Sequence, residues 1–158
     1  MDPLQQANAY LAEFAQKQVP LIGYCEPEIL VIDDEKVEIK IPLQAKTKNH
    51  LNSMYFGALA VGADTAGGYL AMHKAGLRGH QISLAFKSVQ GEFLKRPEAD
   101  VVFVCRDGQK IDAMLDETIA SGERVNQSVQ IDALCPSLHQ DEVMATFQLT
   151  LSVKALTS

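Results

Sequence analysis

Residues 49–73 read NHLNSMYFGALAVGADTAGGYLAMH, a run with no lysine or arginine and one carboxylate, Asp64. From Ser53 to His73 there is no proline, and alanine, glycine, leucine and aromatic residues dominate. A stretch this long and apolar on all sides is a buried helix or a membrane span. Its glycines, Asp64 and the half-polar segments on either side make it a buried helix, expected from Ser53 or Met54 to about Ala75, with Gly76 as the C′ residue. Successive 100° steps put Gly57, Ala60, Val61, Asp64, Gly68 and Ala71 on one face, and Tyr55, Leu59, Ala66, Leu70 and His73 opposite. The Asp64 face therefore carries almost only small side chains, which let a ligand or another backbone approach closely. A carboxylate in the middle of such a face costs free energy unless it is paired, protonated or used. Asp64 is the leading functional candidate.

The rest of the chain reads as the packing for this helix. At 158 residues it is long enough for one domain, residues 1–158, with a substantial core. The net charge of −6 argues against a broad nucleic-acid surface. Cys25, Cys105 and Cys135 are odd in number and lack metal-ligand spacing, so reduced thiols and a cytoplasmic setting are expected, with no metal. No basic n-region with a following apolar run marks a signal peptide.

Asp2, Pro3 and Gln5 form a capping-box start for a helix with the apolar stripe Leu4, Ala7, Leu11, Phe14 and Ala15, ended by Val19-Pro20. Leu21 to Ile32 reads as a strand interrupted near Pro27. Val37, Ile39 and Ile41 alternate cleanly with Glu38 and Lys40. After the central helix, Gln81 to Phe93 reads as a strand with a break at Gly91, then a basic corner at Lys95-Arg96-Pro97, and another strand at Val101 to Cys105. Ile111, Met114, Leu115 and Ile119 mark a second amphipathic helix stopped by Gly122, and strands follow from Arg124 to Leu134 and from Val143 to Val153.

A helix, two strands, a long buried helix and then mainly strands pack naturally as an α+β antiparallel sheet curled around the apolar helix. This arrangement, with SMYFGALAVGAD and the FLKRP corner, resembles the hotdog superfamily, in particular its acyl-CoA thioesterase branch and a poorly characterised family whose helix starts like MYFGALAVGAD. The thioesterase branch commonly opens its helix with a His-Gly-Gly run and carries an acid seven positions after the second glycine. Tyr55-Phe56-Gly57 stands where that run would be, and Asp64 falls at the acidic position; the His and the first Gly of the pattern are absent. The resemblance implies that the Gly57 backbone N–H receives the thioester carbonyl and that Asp64 is the general base or nucleophile. It also implies a homodimer or tetramer with sites at the subunit interface, an acyl-CoA substrate and no separate cofactor. First-turn N–H groups of a helix are unpaired, as an oxyanion hole requires, and a carboxylate two turns along on the same face can activate water or attack the carbonyl.

The candidates have structural alternatives: Asp64 as a buried acid bonded to backbone or to a neighbouring subunit, and Gly57 as a glycine needed only for close packing. Asn49, His50 and Asn52 orient substrate or water, or they form a polar loop and cap. Tyr55 and Phe56 contact substrate or seal the helix start. Thr65 is also counted in the substrate-binding set. Lys95 and Arg96 hold CoA phosphates or are solvated charges. Two other functions stay open. One is a dehydratase or hydratase with His50 as base and Asp64 as acid, although the proline-rich helix start of that branch is missing. The other is a non-catalytic acyl-CoA binding module.

Overall fold

A computed structural model describes residues 1–157. The first helix, α1 (Pro3–Lys17), begins as expected, with Asp2 Oδ1 accepting from Gln5 N–H at 2.8 Å and Gln5 Oε1 accepting from Asp2 N–H at 3.0 Å. Its buried face is Ala7, Leu11 and Ala15. The next segment departs from the expected strand. Pro20 opens a single helical turn, α2 (Pro20–Tyr24), and only then does β1 (Glu28–Ile32) begin. Proline is preorganised for a first helical position, and the turn buries Ile22 while Gly23 lies against Ala15 of α1.

Strand β2 (Val37–Ile41) pairs with β1 and with β4 (Val101–Cys105); β5 (Val125–Leu134) and β6 (Val143–Ala155) follow, and β3 (Ile82–Phe93) forms the far edge. The order is β1-β2-β4-β5-β6-β3, antiparallel throughout. Within β3 the irregularity lies between Phe86 and Ser88, not at Gly91. A bulge shifts the alternation by one residue. Ile82, Leu84 and Phe86 before it, and Val89, Gly91 and Phe93 after it, therefore share one face of the sheet. Gly91 stays in the ladder, and a Cβ there would come within 3.0 Å of the Phe147 ring.

The long helix α3 (Phe56–Leu77) lies across this face as one continuous element, beginning later and ending later than the sequence suggests. Ser53 and Met54 remain outside it because Met54 N–H donates to Pro97 O and Tyr55 N–H to Thr47 O, both at 2.8 Å, which holds the approach extended. At the other end Gly76 stays helical, Arg78 caps, and Gly79 takes the left-handed conformation at φ 72°. Gly62 is what lets the helix down onto the sheet: a Cβ there would run into the Phe103 ring of β4. Helix α4 (Gly108–Ser121) packs beside the C-terminal half of α3 and stops at Gly122, in the left-handed conformation, as the sequence indicates. A last short turn, α5 (Pro136–His139), joins β5 to β6.

One ion cluster fastens α3 to α4. Asp112 accepts from Lys74 Nζ at 3.2 Å and from Arg78 Nη2 at 2.9 Å, and Asp116 accepts from Arg78 Nη1 at 2.8 Å. Lys74 is only 5% exposed. Removing one partner of a buried pair leaves an uncompensated charge. Because Asp112 is partly in water, Asp112→Ala is expected to cost about 2 kcal/mol, below the penalty for a fully buried pair. Urea unfolding of the two proteins measures it.

Candidate functional site

The helix at the centre is not covered evenly. Phe56 and Ala60 are exposed, and Gly57, Val61 and Asp64 are half-buried, so an apolar stripe along one side of α3 faces solvent in the single chain. Strand β3 continues it: Val89 is 65% and Phe93 55% exposed on the helix-facing side of the sheet. Two clefts open at the ends of this stripe.

The first cleft holds Asp64. Its floor is α3, from Asp64 and Thr65 to Gly68, Tyr69 and Met72; β3 supplies Ile82, Leu84 and Phe86; α1 and the turn after it supply Leu11, Phe14, Gln18 and Ile22. The cavity measures about 370 Å³. A Cβ on Gly68 would be 3.7 Å from Asp64 Oδ1, 3.3 Å from Leu84 Cδ2 and 3.4 Å from Phe86 Cζ, so the carboxyl stands in an apolar corner kept open by a missing side chain. Burial alone pushes the Asp64 pKa from 3.8 to about 6. Desolvation penalises the ionised form, and among the described residues no cation or donor offsets it. Thr65, next along the helix, donates its hydroxyl proton to Val61 O at 2.7 Å. It is buried, and its side chain serves the helix backbone.

The second cleft opens at the N-terminal end of α3 and measures about 680 Å³. It collects Asn49, His50, Tyr55, Phe56, Lys95 and Arg96, six residues that the sequence singles out, together with Phe93 and Pro97. An aromatic chain crosses it: Tyr55 to Phe56 at 4.9 Å between ring centroids, Phe56 to Phe93 at 6.3 Å, and Phe93 to Phe147 at 5.8 Å. Gly57 is the second helical residue; no side chain caps this helix end, and among the described residues its N–H has no acceptor. The Tyr55 ring covers Gly57 so closely that a Cβ there would collide with it.

Other members of the second cleft have structural work as well. Asn49 Oδ1 accepts from Leu51 N–H at 2.9 Å, Ser53 N–H at 3.2 Å and Ser53 Oγ at 3.1 Å, which closes the loop before the helix. Asn52 lies in neither cleft; it takes a left-handed turn at φ 60° and accepts from Lys48 Nζ at 3.2 Å. Lys95 Nζ is 3.4 Å from Glu142 Oε2 and 3.4 Å from His139 Nδ1, whereas Arg96 takes part in no ion pair among the described residues. His50 and Asp64 are in different clefts. The apolar wall supplied by α1 was legible only as a helix stripe; nothing in the spacing of Leu11 and Phe14 marks them as cavity residues.

The family model described as "Domain of unknown function (DUF4442)" matches residues 7–153. No curated protein matches the chain in sequence. Among solved structures, a protein of unknown function from Chlorobaculum tepidum superposes with a TM-score of 0.83 at 13% identity, covering 96% of each chain. A Pseudomonas aeruginosa protein described as a probable thioesterase gives 0.75 at 20% identity, covering 98% of this chain and 97% of its own. A thioesterase from Haemophilus influenzae gives 0.71 at 15% identity, covering 100% and 94%. At these identities the likeness establishes the fold, which is the hotdog fold. Among the described residues, no helix is long and apolar enough to cross a membrane.

Proposed function

The chain belongs to the DUF4442 family, and on that premise we propose that it hydrolyses the thioester bond of an acyl-CoA. The observation that carries this reading is Asp64, a carboxyl without a partner among the described residues, its pKa raised to about 6, beside an apolar cavity. A general base works best when its pKa lies near the working pH. Asp64 takes a proton from water, the hydroxide attacks the thioester carbon, and the tetrahedral oxyanion is held by the Gly57 N–H. The C–S bond then breaks, the sulfur leaves as thiolate and is protonated, and the products are a carboxylic acid and free CoA.

Geometry within one chain does not bring the two groups together. Gly57 and Asp64 are seven residues apart, roughly 10 Å along the axis. First-turn N–H groups point out of the helix end, away from Asp64. An oxyanion about 3 Å beyond Gly57 lies out of reach of the carboxylate two turns further in. Hydrolysis by this pair therefore requires a dimer in which Gly57 of one protomer faces Asp64 of its partner. The uncovered stripe on α3 and the exposed apolar face of the edge strand β3 support such a pairing, since both are costly to leave in water. Sedimentation at micromolar concentration is expected to give twice the 17.3 kDa chain mass or a larger multiple. A clean monomer would exclude the shared site.

The CoA end fits the second cleft, where Arg96 offers a guanidinium for phosphate while Lys95 is engaged by Glu142. The test is thiol release from a panel of acyl-CoAs of short, medium and long chain. Tyr55 lying over Gly57 favours one other reading, an acyl-CoA binding module; it predicts tight binding with no thiol released.

A further inference from the structure

We infer that α1 sets the substrate's chain length, and that the acyl group taken is a straight, uncharged chain of medium length, about eight to twelve carbons. This rests on the thioesterase reading above and concerns where its acyl chain goes. Of the two clefts this cavity is the one that adjoins the Asp64 carboxyl, and Leu11, Phe14, Ile22, Met72 and Leu84 wall it with apolar side chains. Its polar groups are nearly all committed. The Thr65 hydroxyl donates to Val61 O, and the Tyr69 hydroxyl donates to Ala7 O at 3.1 Å. The exposed amide of Gln18 is left at the rim. A carboxylate or ammonium at the end of the acyl chain would be buried there without a partner, at a large desolvation cost.

The size follows from the volume. At roughly 30 Å³ for a water- or methylene-sized unit, about 370 Å³ holds on the order of a dozen such units. The α1 side of the wall is fixed in place. Tyr69 bonds to the α1 backbone at Ala7, and Asn8 on the next residue bonds β1 twice, its Oδ1 accepting from Ile29 N–H at 2.8 Å and its Nδ2 donating to Ile29 O at 3.0 Å. An anchored helix makes a wall with a definite position. Phe14 is the side chain to alter, because it lines the cavity yet is only half-buried, so its replacement disturbs the core little.

The experiment compares wild type, Phe14→Ala and Phe14→Trp on saturated acyl-CoAs from butanoyl to hexadecanoyl, and on succinyl-CoA. Each methylene that enters an apolar cavity improves binding by about fourfold. In wild type kcat/KM is expected to climb at about that rate per methylene, peak between octanoyl and dodecanoyl, and fall beyond, with succinyl-CoA not turned over. Phe14→Ala moves the peak roughly two carbons longer, and Phe14→Trp moves it shorter. Thermal melts confirm that both variants are folded, and the opposite directions of the two shifts separate pocket size from general damage. Three coincident profiles, with hydrolysis still dependent on Asp64, would overturn the role of α1 and leave the thioesterase reading intact. If no chain length is hydrolysed, that reading falls. Calorimetric titration of the same acyl-CoAs into Asp64→Asn protein and its Phe14 derivatives then decides the pocket alone. Affinity that shifts with Phe14 supports the inference, and affinity independent of it refutes it.

Discussion

Asp64→Asn is expected to lower acyl-CoA hydrolysis by at least ~10²-fold, the usual cost of losing a positioned base. The substitution keeps the shape of the side chain and removes only its charge, so the fold should survive. Because burial holds the Asp64 pKa at about 6, wild-type kcat/KM should rise as pH passes through 6 and level off above it, as a base that must be ionised requires. The residual activity of the variant should lack that rise. Stability should move the other way. The folded pKa lies above the ordinary 3.8, so between these values the folded state holds the proton more tightly than the unfolded chain. Stability is therefore lost as pH climbs from about 4 to 6, and the penalty is complete above 6. Asp64→Asn removes it. The variant should be more stable than wild type by on the order of 1 kcal/mol at pH 7 to 8 and indistinguishable from it below pH 4, as read by melting across that range. A residue kept only for structure would not combine lost turnover with gained stability.

Gly62→Ala should destabilise the protein by about 2–3 kcal/mol, although alanine is the better helix former by about 1 kcal/mol. The added methyl would strike the ring of Phe103, which is fully buried on β4 beneath the helix. Close-packed interiors cannot absorb such an intrusion without moving the helix or the strand. Phe103→Leu alone should also destabilise, by leaving space. Combined, the two should cost less than their sum, because the smaller side chain makes room for the methyl. Chemical unfolding of the four proteins gives the coupling; strict additivity would mean that the helix does not rest on Phe103.

The pattern of these sensitivities shows what the sequence could carry. The alternation in β2, the capping box at Asp2 and the stop at Gly122 are local rules, and each is found in place. Helix α3 was legible from its apolarity, but its start was not, since the hydrogen bonds that keep Met54 and Tyr55 extended come from Pro97 and Thr47. The same holds for α2, where packing against Ala15 decides between helix and strand for a short apolar segment. The bulge at Phe86–Ser88 did leave a mark, since the apolar positions change phase from Ile82, Leu84 and Phe86 to Val89 and Phe93 across Lys87-Ser88, but Gly91 drew the expected break to itself. For the site, Asp64 was legible because a lone acid in an apolar run is costly. The division of the candidates into two clefts was not. It depends on where β3 and α1 fall around the helix, and on the Lys95–Glu142 contact across 47 positions of sequence.

The claim that joins these parts is a thioester site shared between two protomers. It is tested by mixing two inactive variants, Asp64→Asn and Gly57→Pro. Proline is tolerated in the first turn of a helix and removes the N–H that the oxyanion needs, while the half-exposed Tyr55 ring must swing aside to admit its Cβ. In a mixed dimer, one interface site combines Gly57 of the first variant with Asp64 of the second, and the other site carries both changes. After co-refolding in equal amounts, thiol release from decanoyl-CoA should return to about a quarter of the wild-type rate, since half the dimers are mixed and half their sites are intact. A mixture as inactive as its two components, with mixed dimers shown to form, would contradict the shared site.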